Sequence, residues 1–363
     1  MNTVTVELGD RSYPIVFAGL SGLGTQLAAL RAAGRCVVVS NDRVGPLYAE
    51  QVLDSLKDGG WAPEYLELPD GESNKSAGTW LALVQGLLDL GVDRQTPIIA
   101  LGGGVTGDIV GFAAATTLRG LPFVQVPTSL LAMVDASVGG KTGVNTGHGK
   151  NLLGAFHQPF CVYVDVDALT TLPDDELRCG LGEVVKHAVL ADPEFFSWLE
   201  RNGQALLGRH PEALQHAIAT CCAIKAAVVA SDEREAGRRA LLNLGHTIGH
   251  AIEHVLGFGA LRHGEAVGIG MVAEAWLGVE RGEAAPALPQ RITALLVALG
   301  LPVRCPGVSA DDLVEAARMD KKRAHGRIKV TVPRRLGDVA LVALSPEDLL
   351  AAAQVVTGPS EVE

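Results

Sequence analysis

The chain has 363 residues, of which 48% are hydrophobic and 20% are charged, and its formal net charge is −11 at pH 7. This length suffices for two ordinary domains, and the acidity argues against nucleic acid as a partner, because a phosphate backbone requires a basic face. No apolar run approaches the ~20 uncharged residues of a membrane helix, and the first residues lack a basic stretch followed by an apolar one. We therefore expect a cytoplasmic protein with no membrane partner, and the six cysteines, which lack CxxC spacing, fit reduced thiols.

The first part of the chain predicts strands that alternate with helices. Short apolar runs predict strands at 36–40, 98–101, 123–126 and 161–164, and helical spacing predicts helices at 51–60 and 76–89. Continuous apolar strands separated by helices indicate a mostly parallel sheet that is covered on both faces.

A different pattern begins after Pro173. Alanine- and leucine-rich segments predict helices at 174–190, 211–230, 247–256, 265–280 and 288–299, and two late runs, 327–333 and 338–344, predict a pair of strands. We therefore predict an α/β domain with a variant Rossmann-like fold over residues 1–172 and a mainly α-helical domain over residues 173–363.

Residues 98–108 predict a strand that runs into glycines and then a helix, as in a nucleotide-binding turn. Gly102, Gly104 and Gly107 fit G-x-G-x-x-G, which would place a pyrophosphate at a helix N-terminus. A tight turn explains the glycines about as well, because the chain contains 43 of them. Asp42, which follows a predicted strand and could bind ribose hydroxyls, and the polar loop 70–75 favour the nucleotide interpretation. The order of these motifs indicates a variant of the usual fold.

Residues 126–159 are rich in glycine and lie between two predicted strands. We interpret this segment as a loop-rich anion-binding site, because glycines let backbone N–H groups and lysines approach a phosphate closely. A flexible surface loop would explain the glycines but not Lys141 and Lys150 beside them.

Three clusters of metal-ligating residue types occur in the second part of the chain. They are Glu183 with Lys186 and His187; Asn243 with His246, His250, Glu253 and His254; and His263 with Glu265. His246 and His250 are four residues apart, so both rings lie on one face of a helix, and a third ligand from elsewhere would complete a divalent site. An exposed histidine-rich helix is the alternative, but the flanking residues 241–244 and 248–252 are too apolar for one.

The chain resembles the 3-dehydroquinate synthases, of the sugar-phosphate cyclase superfamily, in motifs that occur in order between residues 69 and 322. These are PDGESNKS, GGGVTGD, VPTSLLAMVDASVGGKTGVN, GKNLLGAFHQP, GLGEVVKHA, LLNLGHTIGHAIE, LRHGEAVGIGM and MDKK. The resemblance implies an NAD-binding α/β domain, a helical metal- and substrate-binding domain, and an active site in the cleft between them.

The resemblance also implies residues for each ligand. For one Zn²⁺ or Co²⁺ per subunit they are Glu183, His246 and His263. For NAD they are Asp42, Asp70, Gly71, Glu72, Ser73, Asn74, Lys75, Gly103, Gly104, Val105, Asp108, Thr128, Ser129, Lys141, Lys150, Leu169, Thr170 and Thr171. For the substrate they are Arg119, Asp135, Lys141, Asn151, Lys186, Lys225, Arg239, Asn243, His250, Lys321 and Lys322. The family further implies a homodimer in which Arg119 reaches the neighbouring site.

The family converts 3-deoxy-D-arabino-heptulosonate 7-phosphate to 3-dehydroquinate and phosphate. The steps are NAD-dependent oxidation at C5, phosphate elimination, re-reduction, ring opening and intramolecular aldol closure. Lysines suit the substrate phosphate, and Lys225 and Arg239 suit its carboxylate. The implied catalytic residues are His250, Glu235, Asn243, Lys186 and Lys141. Glu235 could instead be a solvated carboxylate, and the substrate's own phosphate is an alternative base for the C6 proton.

Two other activities fit parts of the pattern. A related cyclase would act on sedoheptulose 7-phosphate or glucose 6-phosphate, which lack the carboxylate that Lys225 and Arg239 would bind. A metal-dependent polyol or alcohol dehydrogenase would consume NAD⁺ stoichiometrically and would not need the lysine-rich phosphate site. One departure from the family pattern is Cys179, which stands where some relatives have a polar residue near the nicotinamide.

Overall fold

The computed structural model describes residues 3–235, 237–257, 259–322 and 328–358. The chain forms two compact units. The first comprises Met1–Leu172 and Leu214–Arg234, and the second comprises Pro173–Ala213 and Glu235–Glu363. The predicted domains 1–172 and 173–363 stay a prediction, and the units differ from them in one respect: residues 214–234 belong to the first unit.

The first unit is built around a seven-stranded sheet. Its strands are β1 (Thr3–Val6), β2 (Tyr13–Phe17), β3 (Arg35–Asn41), β4 (Ala62–Leu68), β5 (Ile98–Gly102), β6 (Phe123–Pro127) and β9 (Cys161–Val164). Across the sheet they lie in the order β1-β2-β9-β6-β5-β3-β4. Its helices are α1 (Leu23–Leu30), α2 (Gly45–Asp58), α3 (Ala77–Asp89) and α4 (Gly104–Thr116). All neighbouring strands are parallel except β1 and β2, which confirms the predicted mostly parallel sheet.

Apolar side chains cover both faces of this sheet. Val38 and Ile99 pack on one face with residues of α1 and α2, whereas Val37, Val39 and Ile98 pack on the other with residues of α3 and α4. Because both faces are buried, these strands read as uninterrupted apolar runs, and the predictions for β3, β5, β6 and β9 are confirmed.

The glycine-rich segment predicted as a loop contains regular structure. It forms a π-helical turn, Ala132–Ala136, and a separate antiparallel hairpin of β7 (Lys141–Thr146) and β8 (Gly149–Phe156). The loop prediction is wrong for these residues. A Cβ on Gly154 would lie 2.2 Å from the Thr142 carbonyl oxygen, so glycine is required here because the strands approach closely.

Helix α7 (Pro211–Ser231) belongs mainly to the first unit. Lys225 Nζ donates to Asp135 Oδ1 at 2.7 Å, and Cys222 Sγ donates to the Met133 carbonyl at 3.3 Å. By length and hydropathy α7 could cross a membrane, but half of its apolar stretch is buried inside the protein. It also carries Glu212 and Lys225, so it matches a core helix better than a membrane span.

The second unit is mainly helical. Its helices are α5 (Asp174–Ala191), α6 (Pro193–Leu207), α8 (His246–Leu256), α9 (His263–Glu280), α10 (Ala287–Ala298), α11 (Ala310–Lys322) and α12 (Pro346–Thr357). The antiparallel strands β10 (Lys329–Arg335) and β11 (Asp338–Ala343) form a separate two-stranded sheet. The sequence predicted α5, α8, α9, α10 and this strand pair, but not α6, α11 and α12.

Candidate active site

Most of the predicted cofactor-binding residues follow the carboxyl ends of parallel strands in the first unit. The strands β9, β6, β5, β3 and β4 are neighbours in that order. The loops after them contain Asp42 (β3), residues 70–75 (β4), residues 103–105 (β5), Thr128 and Ser129 (β6) and residues 169–171 (β9). Because parallel strands end at the same edge of a sheet, the structure brings these loops to the edge where open α/β sheets bind ligands.

Asn41 connects the loops that follow three of these strands. Its Nδ2 donates to Asp70 Oδ1 at 2.9 Å and to Thr106 Oγ1 at 3.1 Å, and the Asp70 N–H donates to Asp42 Oδ1 at 3.0 Å. The chain passes from β4 back over β3 to β5, so this network lies at a topological switch point. Asn41 was not among the predicted site residues, although an asparagine at the end of an apolar strand could have indicated a polar site at that edge of the sheet.

The turn from β5 into α4 depends on glycine. A Cβ on Gly102 would lie 2.7 Å from Thr106 Oγ1, and a Cβ on Gly104 would lie 3.2 Å from Ala136 Cβ. Gly103 is the N-cap of α4 and provides no side-chain hydrogen bond to the first turn. The first backbone N–H groups of α4 have no intrahelical acceptors, which makes this end suitable for a phosphate.

Lys75 and Asp108 form an ion pair beside this turn. The Lys75 Nζ to Asp108 Oδ2 distance is 2.6 Å, and the lysine is buried. Burial raises the pKa of Asp108 even though the Lys75 charge opposes the rise. The Lys75 charge therefore favours the ionised form of Asp108, against the effect of burial.

Asn145 joins three predicted residues and was missed. Its backbone N–H donates to the Lys75 carbonyl at 2.8 Å, and its Nδ2 donates to Glu72 Oε1 at 2.7 Å. Its Oδ1 accepts the Asn151 N–H at 3.0 Å. The hairpin is thereby attached to the loop after β4, a connection that no local pattern in the sequence signals.

Lys141 and Lys150 lie at opposite ends of the hairpin. Lys141 pairs with Phe156, whereas Lys150 follows Gly149, the partner of Thr146. At about 3.3 Å per residue the backbones of the two lysines are roughly 15 Å apart along the strands. The lysines therefore start from two separate positions on the hairpin, and the anion-binding role of this segment stays a prediction.

Two predicted substrate residues contact each other in the first unit. Lys225 Nζ donates to Asp135 Oδ1 at 2.7 Å and to the Asp135 backbone carbonyl at 2.5 Å. Lys225 is buried and Asp135 is half-buried. The pair holds an ammonium at the π-helical turn.

Several predicted residues have left-handed backbone conformations. Among the described residues that are not glycine, positive φ occurs at Leu118, Arg119, Asn151, Arg209 and Glu235. Arg119 (φ 68°), Asn151 (φ 53°) and Glu235 (φ 59°) are predicted site residues. Such conformations are strained and concentrate at functional positions.

In the second unit the structure brings together the three residues implied as metal ligands. Glu183 Oε1 lies 3.5 Å from His263 Nε2 and 3.7 Å from His246 Nε2, and one ligand atom from each residue lies within 4.8 Å of the others. Glu183 Oε2 contacts Lys186 Nζ, and both side chains are buried. Two imidazoles and a carboxylate are a donor set of catalytic zinc sites, so these residues fit a divalent metal.

The protonation of the two histidines differs. Burial, and secondarily the Lys186 charge, lowers the pKa of His246 to about 3, so its imidazole is neutral at pH 7. Burial also lowers the pKa of His263, but interactions with Glu183 and Glu253 outweigh it and raise the pKa to about 9. Because ligation requires a neutral imidazole, a bound cation would replace the His263 proton.

Glycines beside the three residues allow their helices to approach. Gly182 precedes Glu183, Gly245 precedes His246, and Gly264 follows His263. A Cβ on Gly264 would lie 1.8 Å from the Cys179 carbonyl oxygen, and one on Gly245 would lie 2.4 Å from the Val267 carbonyl oxygen. The cluster forms because α5, α8 and α9 pack backbone to backbone.

Other predicted site residues belong to the same unit, and one of them, His250, lies beside the cluster. The His250 ring centroid is 5.3 Å from that of His246 and 5.9 Å from that of His263. Asn243 Nδ2 donates to Glu235 Oε1 at 3.3 Å, and Arg239 is buried. The side chains of Lys321 and Lys322, at the end of α11, lie outside the described part of the structure.

Cys179 is a buried thiol rather than a polar contact. Burial raises its pKa to about 12, and its Sγ accepts the Gly264 N–H at 3.3 Å. Two further residues of the predicted clusters make hydrogen bonds within their own helices. His187 Nδ1 bonds to the Glu183 carbonyl in α5 at 2.8 Å, and Glu265 Oε2 accepts the Arg262 N–H at the start of α9 at 2.9 Å.

Comparison with known proteins identifies relatives over nearly the whole chain. Residues 65–179 match the family model of the 3-dehydroquinate synthase N-terminal part, and residues 180–323 match that of its C-terminal part. The 3-dehydroquinate synthase of Geobacter metallireducens is 49% identical over 346 residues, which cover 95% of this chain and 96% of that protein. The 3-dehydroquinate synthase of Desulforamulus reducens is 46% identical over 342 residues, which cover 93% and 95%.

Solved structures agree with this relationship. A 2-epi-5-epi-valiolone synthase from Streptomyces hygroscopicus, with NAD⁺ and Zn²⁺ bound, is 31% identical, with a TM-score of 0.89 over 96% of this chain and 98% of that chain. A 2-deoxy-scyllo-inosose synthase, complexed with carbaglucose-6-phosphate, NAD⁺ and Co²⁺, has a TM-score of 0.87 at 24% identity over 98% and 99%, and shares the fold. On the match to both family models and the identity to both relatives, the chain belongs to the 3-dehydroquinate synthase family.

Proposed function

We propose that the protein converts 3-deoxy-D-arabino-heptulosonate 7-phosphate to 3-dehydroquinate and phosphate, a carbon–oxygen lyase reaction of the shikimate pathway. The observation that carries the proposal is the Glu183, His246 and His263 cluster, in a chain 49% identical to a 3-dehydroquinate synthase. We also propose a cytoplasmic location, because the related 3-dehydroquinate synthases are biosynthetic enzymes.

The two units would hold two different groups. Residues at the carboxyl edge of the first sheet, with the Lys75 and Asp108 pair, would hold NAD⁺, which supplies a hydride acceptor. Glu183, His246 and His263 would hold Zn²⁺ or Co²⁺, which lowers the pKa of a bound hydroxyl and polarises a carbonyl.

Charged residues of the second unit set the charge and orientation of the proposed metal ligands. The Lys186 ammonium favours the ionised form of Glu183 and occupies its Oε2, so that Oε1 faces the two histidines. The Asn243 amide orients Glu235, which would serve as a proton acceptor. His250 lies beside both ligand histidines and would relay a proton.

The substrate carries two anionic groups that need cations. From the family resemblance we propose that Lys225 and Arg239 bind the carboxylate, which an arginine can bind in a bidentate manner. Lys141 and Asn151, both exposed on the hairpin, with Lys321 or Lys322, would bind the phosphate. Retention of the carboxylate-binding pair disfavours sedoheptulose 7-phosphate as substrate.

Turnover with limiting cofactor tests the proposal. Purified protein is incubated with heptulosonate 7-phosphate, Zn²⁺ and substoichiometric NAD⁺, while phosphate and dehydroquinate are measured. We expect many turnovers per NAD⁺. Turnover on sedoheptulose 7-phosphate alone would identify the related cyclase, and product that stops at one equivalent of NAD⁺ would identify a dehydrogenase.

Replacing Lys75 by methionine tests the cofactor-binding edge. We expect Lys75→Met to weaken NAD⁺ binding roughly 10- to 100-fold, because loss of one partner of a charged hydrogen bond costs ~1.5–3 kcal/mol and leaves Asp108 uncompensated. Fluorescence titration with NADH measures the change. Lys57→Met is the control, because Lys57 pairs with Asp54 on the exposed surface of α2. Equal affinities for both variants would refute the assignment.

Mixing two inactive variants tests the homodimer. Arg119 lies exposed on the turn after α4, and we propose that it completes the site of a second copy. Arg119→Ala and His246→Ala should each be inactive alone. A mixed dimer would contain one intact site, so random exchange should restore roughly a quarter of wild-type activity. No recovery after confirmed subunit exchange would place Arg119 in its own subunit's site.

A further inference from the structure

One face of α8 carries a third residue that is directed at the Glu183, His246 and His263 cluster. His246, His250 and Glu253 are spaced i, i+4 and i+7, so they share a helix face. Glu253 is only 6% exposed, and its Oε2 lies 3.5 Å from His263 Nδ1. The mechanism above gives this buried carboxylate no role.

The two ring nitrogens of each ligand histidine face different groups. His263 directs Nε2 at Glu183 Oε1 and Nδ1 at Glu253 Oε2, each at 3.5 Å. His246 likewise directs Nε2 at Glu183, and its Nδ1 lies 3.0 Å from the Leu244 carbonyl oxygen. An acceptor at Nδ1 keeps the proton there and leaves the Nε2 lone pair for a metal.

We propose that Glu253 is a positioning residue for the metal centre: it holds His263 in the Nδ1–H tautomer and directs Nε2 to the metal. The proposal rests on the metal site of the proposed function. A carboxylate acceptor at Nδ1 also makes the imidazole a stronger electron donor to the metal than a carbonyl acceptor does, as carboxylates bonded to zinc-bound histidines do in other proteins. The two histidines are therefore unequal ligands, and His263 depends on Glu253.

A second set of ligand residues shares His263 and Glu253. His250, Glu253 and His263 also place ligand atoms within 4.8 Å of one another. A metal there would take His263 Nδ1, and the Nε2–H group of the ring would then donate to Glu183. We favour the positioning role because it keeps His246, whose Nε2 lies 3.7 Å from Glu183 Oε1, in the ligand set in place of the exposed His250.

Zinc affinity of Glu253 variants tests the proposal. Competition with a chromogenic chelator should show 10- to 100-fold weaker Zn²⁺ binding for Glu253→Met, the usual effect of removing such a partner. Glu253→Gln keeps an acceptor oxygen, so it should recover most of that loss. The Co²⁺ absorption spectrum should change in Glu253→Met and remain close to wild type in Glu253→Gln. Glu280→Met, at the exposed end of α9, is the control.

Two further measurements separate positioning from general damage. Thermal unfolding with and without Zn²⁺ should show a smaller metal-dependent rise in Tm for Glu253→Met, whereas a merely structural role would lower both Tm values equally. His250→Ala should retain wild-type Zn²⁺ affinity; its loss would indicate the alternative ligand set. Unchanged Zn²⁺ affinity in Glu253→Met would overturn the inference, even if the turnover assay succeeds. Weakened Zn²⁺ binding without turnover would uphold it and overturn the proposed function.

Discussion

His246→Ala is expected to abolish tight metal binding and to lower kcat/KM by about a thousandfold or more. A metal that polarises the reacting oxygen contributes several kcal/mol to transition-state stabilisation, and each ~1.4 kcal/mol is a factor of ten in rate. The variant should fold, because His246 lies in the first turn of α8 and 13% of its side chain remains exposed. Metal content after dialysis and steady-state kinetics measure both effects.

His254→Ala is the matched control for this prediction. His254 is an exposed histidine in the last turn of the same helix, and its removal should leave metal content and rate unchanged. Chelator treatment of the wild-type protein should reproduce the His246→Ala phenotype, and added Zn²⁺ should rescue the wild type but not the variant. A His246→Ala protein that retains about one ion per chain and full activity would show that the metal lies elsewhere.

The strands show which secondary structure can be predicted from sequence patterns and which cannot. Strands β5 and β6 are buried on both faces, so their uninterrupted apolar runs predicted them correctly. The hairpin was missed because β8 is largely exposed and because its glycines serve close strand pairing rather than a loop. A glycine that faces a neighbouring backbone cannot be distinguished from a turn glycine by sequence alone.

The Glu183, His246 and His263 cluster shows that sequence patterns are also limited in predicting which side chains meet. Spacing correctly places His246 and His250 on one face of α8, and their rings are 5.3 Å apart. It does not decide which histidine joins Glu183, because that depends on how α5, α8 and α9 pack. The family resemblance implied His263, and the structure places its Nε2 3.5 Å from Glu183 Oε1.

Gly264→Ala is expected to destabilise the protein by about 3 kcal/mol or more, above most overpacking substitutions. The added Cβ would lie 1.8 Å from the Cys179 carbonyl oxygen and 2.7 Å from its carbonyl carbon. Backbone atoms cannot rotate away as a flexible side chain could, so α5 and α9 must separate. Thermal unfolding of the metal-free protein should show a Tm lower by several degrees.

Gly268→Ala, one turn further along α9, provides the control. A Cβ there would meet Leu296 Cδ2 at 3.5 Å, an ordinary contact, and alanine is favoured over glycine in a helix by ~1 kcal/mol. This variant should be as stable as the wild type or more stable. Because Gly264 adjoins His263 and packs against α5, the Gly264→Ala protein should also bind Zn²⁺ more weakly in the folded state. Equal stability and equal Zn²⁺ affinity of the two variants would show that the close packing of α5 and α9 does not hold the cluster together.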